Sequence, residues 1–339
     1  MPLRIKDIAD ELHISPSTVS LVLNNKPGIS EETRQKVLAF VEKMGYNTNL
    51  LSKPALKNTR NIRFVIYKKH GKVVSDTPFF SALIEGIDQE AREEGYNLLI
   101  SYLNEKDNKM DVLRILEETA PDGILLLATE MTAADVEPFE QLALPVVLLD
   151  SFFEGIWQDT IVINNRQGAY EAVKYLAESG HREIGYLHSS VWINNFDERK
   201  DGFLKALHDF EIKLNKRHLL EVEPTLEGAY NDVCNILAAA PPLPTAFFAD
   251  NDIIACSAIK AFRENGISIP QDVSLIGFDD MPFCEMIEPP LTTLRVFKQR
   301  MGRIAVRRLI EKIEKSPEEV IKVEVNNELV ERKSVLNRK

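Results

Sequence analysis

Three cysteines in 339 residues, Cys234, Cys256 and Cys284, are too few and too far apart for a disulfide frame. They read as small buried side chains. No run of about 18 uncharged apolar residues occurs, which excludes a membrane-spanning helix. The first residues go straight into an amphipathic pattern, without the apolar stretch and cleavage site of a secretory signal, so the expected location is the cytoplasm. No G-x-G-x-x-G follows a strand and no G-x-x-x-x-G-K-[ST] is present, so nucleotide cofactors lack their usual cradle. His13, His70, His181, His188, His208 and His218 have no metal-ligand spacing, and neither H-E-x-x-H nor G-x-S-x-G occurs. Asp279 and Asp280 are adjacent at a strand end and point in different directions, so they make no catalytic pair. The expectation is a protein without catalytic residues, cofactor or metal.

What remains is a soluble composition, 44% hydrophobic and 27% charged, with length enough for two domains. The net charge of −11 is unevenly spread. Residues 1–60 hold nine Lys or Arg against six Asp or Glu, a net of +3, which leaves the other 279 residues at −14. A small basic head on an acidic body suits nucleic-acid binding confined to the head.

The head begins RIKDIADELHISPSTVSLVLNN. Ile5, Ile8, Ala9 and Leu12 recur at helical spacing. Ser15 stands where an N-cap is wanted, and Pro16 follows at the first helical position, where its missing N–H costs nothing. Val19, Val22 and Leu23 give the second helix its buried face, and Ser17, Thr18, Ser20 and Leu21 point outward. Two short helices with a tight turn, the second bearing small polar residues, suit a major groove. A third helix, roughly Ser30 to Met44, has Ser30 as cap, Glu31 and Glu32 at its positive end and Gly45 as its stop. Residues 46–61, polar and basic with Pro54 in the middle, read as a linker or hinge.

From Ile62 the pattern becomes strands alternating with helices. Strand runs appear at IRFVIY, YNLLISYL, GILLLA, PVVLLD, DTIVIN, EIGYLHS, PTAFFAD and VSLIGFDD. Helical stretches at Phe80–Glu94, Gln167–Ser179, Arg199–Phe210 and Ile253–Asn265 lie between them. The fold class is α/β: two doubly wound parallel sheets of about five strands each, facing one another across a cleft. The expected domains are 1–45, 46–61 and 62–339. Within the last, one subdomain takes 62–161 and 291–323, the other 162–290.

IKDIA, ISPSTVSLVLN, ISEETRQKV and GYNTN in the head, with PFFSALIEGIDQEAREEGY, GHREIGYL, ERKDGF, FFADND, IPQDVSLIGFDD and PPLTTL in the body, resemble the lactose-repressor/galactose-repressor (LacI/GalR) family of bacterial transcription regulators. In this order and spacing the fragments are highly specific and cover nearly the whole chain. The resemblance implies a helix-turn-helix headpiece, a hinge and a periplasmic-binding-protein-like core. It also implies a homodimer or tetramer whose twofold axis matches pseudo-palindromic operator DNA. Small effectors, most often sugars, would bind between the subdomains.

By resemblance, Pro16, Ser17 and Leu21 choose bases while Thr18 and Ser20 lie toward phosphates. Ser15 and Asn24 complete this DNA-facing set. Leu21 has no donor or acceptor and is restricted to contacts such as a thymine methyl, so discrimination should be modest, ~1 kcal/mol per position. His13 replaces the glycine usual in the family's turn, where positive φ is tolerated by His at some cost. The hinge departs further. Where the family pattern has Pro, then Asn, and later Ala-Arg and a wedging Leu, this chain has Thr48, Asn49, Ser52, Lys53 and Ala55, so only the Asn is kept, and Leu56 falls one position late. Pro54 would cost a helix started at Asn49 ~3 kcal/mol. A shorter or displaced hinge helix follows, with Lys53 near DNA and Leu56 as the minor-groove wedge.

Four polar residues map onto effector contacts of the family: Asp150, Arg199, Asn251 and Asp279. Carboxylates accept from sugar hydroxyls and Arg and Asn donate, so the set matches a polyol. Phe80, Trp192, Phe196 and Tyr230 are candidate aromatic walls, with Phe152 and Phe153 as further apolar surface. This favours an oligosaccharide or aryl glycoside over a purine. A solute-binding protein or sugar-handling enzyme sharing the core stays open, as does control by a phosphoprotein corepressor. The tail after Val323 has no clear leucine heptad, which favours a dimer over a tetramer.

Overall fold

The computed structural model describes residues 5–23, 28–43, 59–74, 77–108, 113, 116 and 119–339. Asn24 and the hinge residues Lys53, Pro54 and Leu56 lie outside that set. The head has three helices, α1 (Ile5–Leu12), α2 (Pro16–Leu23) and α3 (Glu31–Lys43). Their apolar stripes meet in a small core of Ile8, Ala9, Val19, Val22, Val37 and Val41. Ser15 Oγ accepts from Thr18 N at 3.0 Å, so the expected cap starts α2. Ser30 Oγ accepts from Thr33 N at 3.3 Å and does the same for α3. His13 adopts the positive φ that its turn position demands, 52°.

Twelve strands follow among the described residues, in two six-stranded sheets. In chain order the elements of the first lobe are β1 (Asn61–Lys68), α4 (Pro78–Glu93), β2 (Asn97–Asn104), β3 (Gly123–Leu127), α5 (Ala133–Glu140), β4 (Val146–Leu149) and β5 (Asp159–Ile163). The second lobe takes α6 (Asn165–Glu178), β6 (Ile184–Ser189), α7 (Asn194–Asp209), β7 (Leu219–Val222), α8 (Leu226–Ala238), β8 (Ala246–Ala249), α9 (Asp252–Glu264), β9 (Ser274–Asp279) and β10 (Thr292–Arg295). The chain then returns for α10 (Lys298–Lys315) and β11 (Lys322–Val325), and leaves again for β12 (Glu328–Val330).

The first sheet runs β2-β1-β3-β4-β5-β11, all parallel. The second runs β7-β6-β8-β9-β10-β12, parallel except for its last pair. Strands β3, β4, β5 and β8 are buried along their whole length, as covered parallel strands must be. Helices α4 and α10 pack backbone to backbone on the first sheet. A Cβ at Gly86 would lie 2.2 Å from Gln299 O, and one at Gly302 would lie 2.7 Å from Leu83 O. Asp159, wholly buried at the start of β5, ties this layer together. It accepts from Arg308 Nε at 2.8 Å, from Ile321 N at 2.9 Å and from the Lys312 ammonium.

Two boundaries differ from the sequence reading. Residues 292–295 pair with β9 (Thr292 opposite Ile276), so the return to the first lobe comes after Arg295 and not near 291. A third crossing at 326–327 sends the tail back to the second lobe. There Arg338 N donates to Ser179 O at 2.8 Å, and His181 Nε2 lies 3.1 Å from Leu336 O. Asn164 Nδ2 donates to Asn326 Oδ1 at 2.9 Å, joining the first and third crossings.

Candidate functional site

On the head, Ser15, Pro16, Ser17 and Leu21 are exposed while Val19 and Val22 are buried, so one side of α2 is free. Thr18 and Ser20 are half-buried beside them. Ser15 spends its hydroxyl locally, 2.8 Å from Thr18 Oγ1.

The carboxyl ends of both sheets open onto a narrow cavity between the lobes, of about 40 Å³. Phe80, Asp150, Arg199, Asn251 and Asp279 all line it, as does Phe196. Each arrives for a local reason. Asp150 ends β4 and turns the chain with φ 73°. Asn251 caps α9, its Oδ1 accepting from Ile254 N at 3.0 Å, which leaves its amide nitrogen for the cavity. Asp279 ends β9 at φ 115°. Arg199 lies on α7 with its guanidinium 3.8 Å from the centre of the Phe278 ring. It donates through Nε to Asn165 Oδ1 at 2.9 Å, through Nη1 to Asp250 O, and through Nη2 to Asp279 Oδ1 at 3.4 Å. Asp280 turns away to Arg295 and Arg332, so the two adjacent carboxylates do diverge.

Asp150 Oδ2 accepts from the Thr129 hydroxyl at 2.6 Å, and the Asn195 side chain also hydrogen-bonds its carboxylate. Burial pushes its pKa up to about 6, against the pull of Thr129 and Arg199. Asn195 lines the same cavity wall. Behind the wall Asp252 accepts from the Thr293 hydroxyl at 2.6 Å and from Met281 N at 2.8 Å; burial and the nearby Asp279 push it up to about 7. Burial also raises Asp279, with Arg199 and Lys298 opposing.

The loop 69–74 brings Val73 to the cavity by winding round Glu130. That buried carboxylate accepts from the backbone N–H groups of Lys69, His70, Gly71, Val73 and Val74 at 2.8–3.0 Å. At the cavity mouth Lys72 Nζ meets Glu223 Oε2 of the other lobe at 2.5 Å. Asn194 Nδ2 also donates across the lobes, to Phe152 O at 3.3 Å.

Two expected aromatics are elsewhere. Trp192 is 49% exposed and donates from its indole to Asp197 Oδ2 at 2.6 Å, because the next residue, Ile193, is the one that turns inward. Tyr230 lies on α8 in a separate surface groove, its hydroxyl bonded to Glu264 Oε2 at 2.5 Å and Lys260 over its ring. Phe153 packs into the first lobe's core, and Phe152 lies under Lys322. Thr129, Asn195 and Phe79 line the cavity and carry no distinguishing sequence signal beyond their places at strand ends or helix starts. Among the described residues no cluster of three His, Cys, Asp or Glu is disposed to hold a metal ion, and no helix is long and apolar enough to cross a membrane.

Residues 4–49 match the profile "Bacterial regulatory proteins, lacI family", and residues 173–335 match "Periplasmic binding protein-like domain". The chain is 33% identical over 335 residues to the HTH-type transcriptional repressor PurR of Mannheimia succiniciproducens, covering 98% of both. Its fold is similar to the lac repressor dimer bound to operator and the anti-inducer ONPF: TM-score 0.70, 22% identity, 99% of this chain and 100% of that one. A LacI family transcriptional regulator from Enterococcus faecium with bound ribose gives TM-score 0.69 at 25% identity, over 82% of this chain and 100% of that one.

Proposed function

The chain belongs to the lacI family of bacterial regulatory proteins, and on that footing we propose a repressor whose grip on operator DNA is set by one sugar-sized ligand between its lobes. It is a DNA-binding transcriptional regulator and not an enzyme. The observation that carries the ligand reading is the convergence of Asp150, Asn195, Arg199, Asn251 and Asp279 on one cavity between the lobes. Carboxylates that accept beside amides and a guanidinium that donate match the hydroxyls of a polyol. The Enterococcus faecium neighbour, solved with bound ribose, supports a sugar as the ligand.

The DNA side follows the exposed face of α2. Pro16, Ser17 and Leu21 face base edges, and Thr18 and Ser20 lie toward phosphates, with Ser15 as the cap that holds them. Asn24, Lys53 and Leu56 extend the contact, Leu56 as the wedge of a displaced hinge. Two copies on a pseudo-palindrome place two such helices one helical turn apart. Ligand bound across the cleft favours the closed lobes, and it alters DNA affinity only through unequal affinity for the two lobe arrangements.

A second reading has its own support. Phe80 and Phe196 line the cavity from opposite lobes, a setting for a planar nitrogen heterocycle. Operator binding by the purified protein, measured across a panel of sugars and purines, separates the two. At least one sugar should change operator Kd tenfold or more. A response to purines alone assigns the site to the heterocycle, and a protein that prefers no palindrome over random duplex overturns the repressor reading.

A further inference from the structure

Two of the three cysteines stand together behind the second lobe's side of the cavity. Cys256 lies on α9, one turn after Asp252 and on the same face. Cys284 lies in the short helical turn Pro282–Glu285. Asp252 bonds the two elements, accepting from Met281 N at 2.8 Å just before that turn. The Cys284 thiol hydrogen-bonds both the Cys256 and the Asp252 side chains, so the two sulfurs are neighbours. Cys284 is wholly buried, and its carbonyl accepts from Leu291 N at 2.8 Å. Cys256 is half-buried and lines a surface groove of about 800 Å³ with Met286, Ile287 and Glu288, the residues that follow the turn. One thiol is therefore reachable from solvent and the other is sealed behind it. The same two elements bring Asn251, Ile253 and Met281 to the cavity wall. Neither thiol has a part in effector or DNA binding as described above.

We propose that Cys256 and Cys284 form a reversible cross-linking site, closed to a disulfide by a hydroperoxide and reopened by a thiol. Cys256, the reachable thiol, reacts first. Its thiolate attacks one peroxide oxygen, the O–O bond breaks, and the departing hydroxide takes up the proton that Cys256 gave up, forming water. Cys256 is then a sulfenic acid. The Cys284 sulfur attacks the Cys256 sulfur, the S–O bond breaks and a second hydroxide leaves. The Cys284 proton passes through Asp252 to that hydroxide, forming a second water. Two thiols and one peroxide give one disulfide and two waters, with two electrons passing from the sulfurs to the peroxide oxygens. Asp252 suits this relay, because burial and Asp279 hold its pKa at about 7. Cys284 is fitted to resolve and not to start, since the Cys256 side chain, burial and Asp252 all keep it protonated. The sulfurs must close from contact to about 2 Å. The short turn can follow, as Met286 just beyond it is 81% exposed. The bond ties the turn to α9 and stiffens the cavity wall at Met281.

The test uses the intact protein, hydrogen peroxide in small molar excess and a peptide map made without reductant. The expected product joins Cys256 to Cys284 within one chain, with a mass lower by two hydrogen atoms, Cys234 still a free thiol, and full reversal by dithiothreitol. Cys284→Ala should stop at the sulfenic acid of Cys256, which dimedone labels. Cys256→Ser should leave Cys284 reduced at the same peroxide dose. Backbone hydrogen exchange at 281–288 should slow roughly threefold or more in the oxidised protein. Three results overturn the cross-link: thiols that survive the peroxide, a sulfinic acid at Cys256 beside a reduced Cys284, or a bond to Cys234 or to another chain. Unchanged exchange at 281–288 overturns the stiffened wall. Should either variant fail to fold, the map of the parent protein alone decides the cross-link.

Discussion

Glu130 contributes no atom to the cavity lining, yet five backbone N–H groups and His70 Nδ1, 3.1 Å away, converge on its carboxylate. Burial alone would raise its pKa; His70 and the N–H groups of Val74 and Gly71 outweigh that and hold it at about 2. A carboxyl depressed in the folded state adds stability that is complete above its ordinary value and is lost as pH falls toward 2. Glu130→Gln should cost roughly 2–3 kcal/mol in urea unfolding at pH 7, with most of the difference gone at pH 2. Equal stabilities at pH 7 would show that the loop holds itself without the charge. Nothing in the sequence marks Glu130, because its partners are main-chain groups that every residue possesses. Asp150, Arg199, Asn251 and Asp279 are legible through the family resemblance; all but Arg199, which sits in the second turn of α7, also stand at strand ends or a helix cap, and strand ends face the ligand in open parallel sheets. Aromatic type does not encode direction, so Trp192 and Tyr230 were beyond the reach of pattern.

Among elements, the covered strands declare themselves by continuous apolar runs such as GILLL and VVLL. The strands that escape are β7, β10, β11 and β12, each of three or four residues at or near a sheet edge, where KVEV and ELV expose about half their side chains. Helix α10 is masked by seven Lys or Arg, although Met301, Ala305 and Leu309 keep a buried stripe at four-residue spacing. Two of those cations, Arg308 and Lys312, are not solvated but close on Asp159, which joins α10 to β5 and to the backbone just before β11. Removing one partner of a buried pair leaves the other uncompensated, typically at 3–5 kcal/mol. Asp159→Ala should lower unfolding stability by that order while the head keeps its helices by circular dichroism of the isolated unfolding phases. A loss under about 1 kcal/mol would show that water reaches Arg308 once the carboxylate is gone.

The whole molecule is a basic head on an acidic two-lobed body, and that division is legible from charge and strand–helix alternation. The third crossing is not, because 326–327 is two asparagines between two short strands. The lobes meet through the cavity and through its mouth, where Lys72 and Glu223 form a partly exposed pair. Such pairs contribute about 0–1 kcal/mol, so Lys72→Ala should weaken ligand binding by roughly two- to fivefold, with urea midpoints unchanged. Tighter binding by the variant would mean that the pair holds the lobes in the arrangement ligand disfavours. The three crossings at 164, 296–297 and 326–327 have a mechanical consequence of their own. Three straps, the first and third of them bonded through Asn164 and Asn326, permit swing of the lobes and resist their separation. A single backbone nick in one strap leaves two others intact, and the halves of the body stay laced together while still free to nod.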